Sequence, residues 1–369
     1  MIKRVFYRIM RALLEVAYHI YVKHFEVHNS YKEKTIDPVI YASNHANAFY
    51  DAFSIIYSQR RIPVFLTRAG VFATKTSSFL LGLFYMLPIY RQRDGIKSVS
   101  KNQEIMEKCF DYLKDGRHPV AMFPEGNHNM KLGLRPLQKG IARMAFDCLE
   151  KYPYIDLKII PIGVNYSDPR AFRANVLVLK GPPIYVKPFF EIYKENKVLA
   201  VKQLLERLSE EMEKLILTIP ADNYDLIFDQ YLKYREHGKN LLANFEADKQ
   251  LIKDLSEGKI PELKKKGDLN KKLTLYFRRL ISFPIWILAW ISNLIPVFLI
   301  RLILKKTIKD DHFIDSIKYA ASAFLFPIIY LLQAFVLYLL IDSASISLAY
   351  FILIPFLSKF YYEYLYKIN

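Results

Sequence analysis

Cysteine is nearly absent: Cys109 and Cys148 are the whole complement of a 369-residue chain. Two thiols are too few for a disulfide framework, and they fit a reducing, cytosolic side. The sequence also lacks zinc-ligand spacing, an RNP-like aromatic motif and a free basic tail. The excess of 53 Lys+Arg over 36 Asp+Glu therefore points away from nucleic acid. With 52% apolar and 15% aromatic residues beside a formal charge of +17, the composition fits a chain resting on an anionic membrane face. No G-x-S-x-G nucleophile motif is present. Nor does the opening stretch, MIKRVFYRIMRALLEVAYHIYVKHF, hold a continuous apolar core followed by a small-residue cleavage site, which argues against a cleaved signal peptide.

That stretch has helical spacing instead. Ile2, Val5, Phe6, Ile9, Met10, Leu13, Leu14, Ala17, Ile20 and Tyr21 form a stripe, with Lys3, Arg4, Arg8, Arg11 and Glu15 elsewhere. The pattern predicts a basic amphipathic helix lying in a membrane interface. The competing reading is a helix that packs the stripe on the protein core. From about residue 36 to 186, short apolar runs (PVIYAS, PVFLT, FYMLPIY, PVAMFPEG, LKIIPIGVNY, VLVLKGPPIYV) alternate with helix-spaced segments (AFSIIYSQ, SVSKNQEIMEKCFDYLKDG, LQKGIARMAFDCLEKY). Such alternation predicts an α/β domain with a mixed, largely buried sheet and helices on both faces. Residues 196–256 are charged and helical in spacing, and KKKGDLNKK reads as a solvated juncture.

Beyond it the composition changes. Leu280–Ile300 and Tyr319–Ile341 carry no charge and are long enough to span a bilayer, whereas Ser343–Leu357 is short for a span. Basic clusters flank the first run on both sides, Lys271, Lys272, Arg278 and Arg279 before it and Arg301, Lys305, Lys306, Lys309 and Lys318 after it. A full crossing would put one cluster on the outer side, against the usual bias, so a re-entrant or in-plane first segment, with Pro284 and Pro296 as bends, is an alternative. The expected division is an interfacial helix (1–30), an α/β domain (31–190), a charged helical segment and linker (191–272) and a membrane-embedded helical region (273–369).

Three short stretches carry residue types suited to chemistry. SNHANAFYD sets Asn44 and His45 at the end of a strand and Asp51 six residues beyond the histidine, near a helix start. A histidine there accepts a proton near neutral pH, and a carboxylate on its other nitrogen fixes the tautomer. LPIYRQRDG puts Arg91 and Arg93 just past a strand, where guanidinium groups hold phosphate. AMFPEGNHN delivers Glu125 and Gly126 into a loop, with His128 behind them and Arg135 and Lys139 ahead of a helix. IIPIGVNY offers Pro161 as part of an apolar wall.

The ordered set NH…D, strand-end Arg, FPEG and a strand with Pro resembles the four motifs of the glycerolipid acyltransferases, over about residues 36–186. The resemblance implies a glycerol-3-phosphate acyltransferase-like fold, with His45 as general base and Asp51 as its orienting partner. Arg91 falls on the phosphate-binding block, Glu125 and Gly126 on the acceptor block, and Pro161 on the block tied to the acyl donor. Five residues separate His45 from Asp51 where most of the family has four, and Asn127-His128 stands where threonine and arginine are usual. Both departures resemble the subgroup that includes fungal glycerol-3-phosphate and dihydroxyacetone-phosphate acyltransferases. Implied partners are acyl-CoA or acyl carrier protein as donor, a phosphorylated glycerol-type acceptor and the lipid bilayer, with no cofactor and no metal. The expected site is on the cytoplasmic face. Two rival classes are a metal-dependent hydrolase using His45, Asp51, Glu125 and His128 as ligands, and a membrane-associated relative without activity.

Overall fold

The computed structural model describes residues 2–90, 100–169, 171–235, 238, 240–261, 269–307 and 314–361. The chain divides into two compact units. The first comprises Met1–Ala12, Phe25–Pro169 and Asn175–Ile260; the second comprises Leu13–His24, Arg170–Ala174 and Pro261–Asn369.

The first unit is built on a sheet of eight strands: β1 (Phe25–Asn29), β2 (Val39–Ser43), β3 (Val64–Arg68), β4 (Met86–Ile89), β5 (Val120–Met122), β6 (Lys158–Tyr166), β7 (Val176–Lys180) and β8 (Ile184–Tyr185). Their order is β1-β7-β6-β2-β5-β3-β4, with β8 also paired to β6. The β2, β5, β3, β4 and β6 ladders are parallel, whereas β7 and β8 run antiparallel to β6. The sheet is therefore mixed, as the alternating runs predict. Strand β1 departs from the expectation of an interfacial segment through residue 30. The opening helix α1 ends at Tyr21, and Phe25–Asn29 joins the sheet edge against β7.

Helices α2 (Ala48–Tyr57), α3 (Lys75–Leu83), α4 (Asn102–Asp115), α5 (Gly140–Lys151), α6 (Lys187–Glu195), α7 (Lys197–Glu213), α8 (Tyr224–Tyr234) and α9 (Leu241–Ser256) complete this unit. Side chains alternate across a strand. On one face Ile40, Ala42 and Ile159 meet Cys109 and Leu113 of α4, Phe146 and Leu149 of α5, and Leu204 and Leu208 of α7. The helix α2 covers the other face, where its Ser54 hydroxyl lies 3.4 Å from that of Tyr166. Residues 191–256 thus do not stand apart as a charged segment. The stripe Leu204, Leu208, Met212 is buried in the main core, and Phe245, Ile252 and Leu255 bury against Leu177 and Leu179. One apolar residue per turn suffices to bury such a helix while its other faces stay charged.

In the second unit α10 (Leu269–Thr307), α11 (Ile314–Ile341) and α12 (Ala344–Tyr361) pack on one another. Phe283–Lys306 and Ile317–Ile341 are long and apolar enough to cross a membrane, and only 22% and 11% of their apolar windows are buried. Core helices of a soluble domain would be mostly covered. Pro284 and Pro296 lie inside one continuous helix instead of ending it, so the re-entrant alternative finds no break in α10. Polar side chains close on each other between the helices. Asn293 donates to Ser358 at 2.8 Å and accepts from Tyr330 at 2.6 Å, while the Tyr350 hydroxyl donates to Gln333 Oε1 at 2.9 Å and lies 2.8 Å from the Ser292 hydroxyl. Satisfied bonds of this kind fix which faces of otherwise uniform apolar helices meet. Tyr319 donates to Leu14 O at 2.8 Å, and its ring packs edge-on against Tyr18 and Tyr21.

Candidate active site

The carboxyl ends of β2, β5 and β6 meet at the site. Strand β2 ends at Ser43, and the chain passes Asn44 and His45 before α2 starts at Ala48. The amide of Asn44 spans to β6, donating to Val164 O at 3.1 Å and accepting from Val164 N–H at 2.8 Å. A side chain expected to touch substrate is thereby engaged as a brace that holds the His45 turn against the sheet.

His45 Nδ1 lies 2.8 Å from Asp51 Oδ2. The aspartate is fully buried, the histidine 16% exposed. Asp51 accepts two further bonds, from Asn47 N–H at 2.7 Å and from the Tyr166 hydroxyl at 2.6 Å. Three donors hold this one buried carboxylate in place. An ionised carboxylate only accepts, so Nδ1 carries the proton and Nε2 keeps its lone pair. No hydrogen-bond partner reaches Nε2 among the described residues. The imidazole stacks on Phe123, with centroids 4.0 Å apart and planes 12° from parallel, and His128 meets it edge-on at 5.5 Å.

Ala48 takes φ 38°, a left-handed value uncommon for a residue with a Cβ, at the first position of α2. The strain of that twist is offset by the bonds it permits: Asn47 N–H reaches Asp51, and Tyr50 N–H closes on Asn47 O at 2.9 Å.

Glu125 is buried at the end of β5 and faces two ways. Oε1 accepts the His45 backbone N–H at 2.8 Å; Oε2 accepts Arg135 Nε at 2.7 Å and Arg135 N–H at 3.3 Å. Arg135 also donates to Asn127 O. Glu125 therefore ties the FPEG loop to the His45 turn, and its carboxylate holds the guanidinium of Arg135 with part of that group open to solvent. Gly126 sits at φ 76°, where a Cβ would also stand 3.2 Å from Gln138 Cγ. Asn129 N–H donates to His45 O at 2.9 Å and closes the loop.

A cleft lined by His45, Glu125, Lys131, Val164, Tyr166 and Leu217 opens beside this cluster. Lys139 is exposed at the start of α5 and makes no contact with the His45 group. Pro161 does not wall a substrate. It lies buried within β6 opposite Ala42, because the strand continues to Tyr166 instead of ending at Gly163. Gly163 allows this continuation, since a Cβ there would lie 2.0 Å from Leu215 O. Arg91 and Arg93 lie outside the described residues. Among the described residues no three His, Cys, Asp or Glu side chains converge as a metal site. Tyr166 and Phe123 are the contributors that sequence reasoning missed. Tyr166 is 115 residues from Asp51, and no local pattern links them.

Part of the chain is similar to known proteins. Residues 24–165 match the family model described as Acyltransferase. The matched segment is less than half of the chain. It is similar to glycerol-3-phosphate O-acyltransferase 1 of Saccharomyces cerevisiae, 33% identical over 126 residues, which is 33% of this chain and 16% of the relative. It is also similar to glycerol-3-phosphate O-acyltransferase 2 of the same yeast, 28% identical over 127 residues, 34% of this chain and 17% of that one. The matched segments thus span about a sixth of those relatives' length. A solved structure, the 1-acyl-sn-glycerophosphate (LPA) acyltransferase PlsC from Thermotoga maritima, aligns with TM-score 0.37 and 12% identity over 57% of this chain and 82% of that chain.

Proposed function

We propose that the whole chain is a membrane-bound O-acyltransferase that moves a fatty acyl group from an acyl thioester to a hydroxyl of a glycerol-phosphate-type acceptor, in phospholipid biosynthesis. One observation carries the reading. Asp51 holds Nδ1 of His45 as a donor, which leaves Nε2 as an unpartnered base beside a cleft.

The chemistry follows from that tautomer. His45 Nε2 takes the proton of the acceptor hydroxyl as its oxygen attacks the thioester carbonyl. A C–O bond forms, the C–S bond breaks, and the departing thiolate takes the proton back from the imidazolium. Asp51 supports the cation, and Tyr166 and Asn47 N–H hold Asp51 in place. The open part of Arg135, with Lys139, Arg91 and Arg93, supplies positive charge for the acceptor's phosphate. The donor is acyl-CoA or acyl carrier protein, and the acceptor glycerol-3-phosphate or 1-acylglycerol-3-phosphate. The apolar helices α10 and α11 support embedding in a bilayer, with the site at its cytoplasmic face, where a lipid product can remain in the membrane.

The test is a mass-spectrometric product screen of the purified chain in vesicles, offered each donor with each acceptor. An acylated glycerol phosphate is expected, with turnover falling by about 10² to 10⁴ in His45→Ala. Undiminished acyl transfer by that variant would remove His45 from the reaction.

A further inference from the structure

Helix α3, Lys75–Leu83, is apolar and largely uncovered, with only Ser77 and its last turn half-buried. Its sequence is KTSSFLLGL, and none of its residues is buried. Phe79 is 65% exposed and Leu80 46%, and a methyl group at Gly82 would meet nothing within 4 Å. The short 3-10 turn before it, Ala69–Phe72, likewise buries no residue. The helix is well formed all the same. Ser77 N–H donates to Thr74 Oγ1 at 3.0 Å, and Thr74 N–H donates to Ser77 Oγ at 3.1 Å, a reciprocal cap. A capped helix that turns Phe and Leu to the outside has an apolar face made for something other than the sheet.

What covers it is indicated by its neighbours. At the end of α3, Phe84 and Tyr85 pack edge-on against Phe6 and Tyr7 of α1, with ring centroids 5.5 to 6.4 Å apart. On the same part of α1, Ile2, Val5 and Ile9 are exposed apolar residues. Along the sequence, the charge flanking α3 and on the first half of α1 has one sign. No acidic residue occurs from Ala52 to Arg93, a stretch that carries Arg60, Arg68 and Lys75, nor before Glu15, a stretch that carries Lys3, Arg4, Arg8 and Arg11. Arg68 and Lys75, which bracket the 3-10 turn, are exposed.

We infer that α3 is a second membrane-dipping element, which with the exposed stripe of α1 seats the first unit on an anionic glycerophospholipid surface. Apolar side chains enter the headgroup and acyl boundary while the flanking cations meet lipid phosphates. The helix follows β3, whose carboxyl end belongs to the same edge of the parallel strands that delivers His45 and Glu125. Seating α3 turns that edge toward the surface where a lipid-borne acceptor would reside. The inference rests on the membrane reading under Proposed function.

Cys109 and Cys148 are both buried, and burial pushes each thiol up to about 12, so a single introduced cysteine can be labelled selectively. An environment-sensitive NBD label at Phe79→Cys, or at Leu80→Cys as a second variant, is read in the full chain in phosphatidylcholine–phosphatidylglycerol vesicles. Lys202→Cys on the solvated face of α7 serves as the aqueous control, and Phe335→Cys on α11 as the bilayer control. At 79 and 80 the emission should shift to the blue, at least halve with doxyl-labelled lipids and resist iodide, whereas 202 behaves oppositely. Iodide quenching at 79 and 80 equal to that at 202 would overturn the inference. Iodide protection without doxyl quenching would overturn it too, because a second copy or another protein would then be the cover. Quenching at 335 without quenching at 79 and 80 sinks only this inference, while its absence at 335 sinks the membrane reading itself.

Discussion

Strand β6 carries a buried polar residue at each end, and the clusters built on them differ in what they leave open. At its far end Tyr166 joins Asp51 and His45. At its start Lys158 joins Asp37 at 2.6 Å. The second cluster grows from there beneath residues 30–37. Tyr31 donates to Asp37 at 3.2 Å; Glu33 accepts from Arg61 at 3.2 Å, from Lys180 at 3.3 Å and from the Tyr41 hydroxyl. Arg61 also donates to Asp37 O and Gly116 O, at 2.5 and 2.6 Å. Three cations and two carboxylates are thus tied into a strap across the sheet, every one of these charged groups paired within it. The His45 cluster ties its carboxylate just as tightly but leaves one basic nitrogen at a cleft. Both are costly to bury, and only the one with an unspent valence can do chemistry.

The two clusters should therefore fail in different ways. The largest effect is expected from Asp51→Asn, which lets the ring adopt either tautomer. Turnover should fall by about 10² to 10⁴ while the thermal midpoint in detergent moves little. A variant with normal turnover would show that the carboxylate does not set the ring. Lys158→Met should do the reverse. It strands the buried Asp37 carboxylate with only a tyrosine hydroxyl, costing about 3–5 kcal/mol in thermal or denaturant unfolding, with unchanged activity per folded molecule. Tyr166→Phe removes one hydrogen bond to a charged acceptor, about 1.5–3 kcal/mol, and kcat should drop roughly tenfold with KM unchanged. The smallest change is expected in Lys180→Met, under about 1 kcal/mol, because Glu33 keeps Arg61 and Tyr41.

Alkaline titration separates the two lysines further. Burial pulls Lys158 down, but the Asp37 hydrogen bond and charge outweigh it and hold the ammonium above the usual lysine value. Its contribution is therefore complete at neutral pH and lost only as pH rises through that raised value. Burial holds Lys180 below the usual value, with Glu33 opposing. Its sign is opposite, so stability should rise as pH climbs from the lowered folded value to the ordinary one. Unfolding midpoints of wild type and the two Met variants across alkaline pH check both slopes.

Much of the first unit was legible because local patterns determined it. The runs PVIYAS, PVFLT, FYMLPIY, PVAMFPEG and LKIIPIGVNY each became a strand, and AFSIIYSQ, the segment about Asn102–Asp115 and that about Gly140–Lys151 became helices. The less regular pieces were not. FEVHN is a strand because β7 offers an open edge, and KTSSFLLGL is a helix whose apolar face meets no core, a combination that periodicity does not signal. The stripe read on α1 was split by its surroundings. Leu14 and Tyr21 of the stripe are buried, joined by Tyr7 and Tyr18 from outside it, while Ile2, Val5, Ile9 and Leu13 stay exposed.

The sequence by itself set His45 past a strand end and Asp51 six residues on, near a helix start, and the resemblance to the glycerolipid acyltransferases implied that the two pair. It also determined the two uncharged helical runs, whose length alone matches a bilayer. Only the tertiary structure decided that Asn44 braces β6, that Glu125 ties His45 to Arg135, and that Tyr166 anchors Asp51. These contacts join residues 80 to 120 positions apart or link loops through a shared carboxylate. Their geometry depends on which strands lie side by side, and strand order is set by the packing of the whole sheet, not by any stretch of chain.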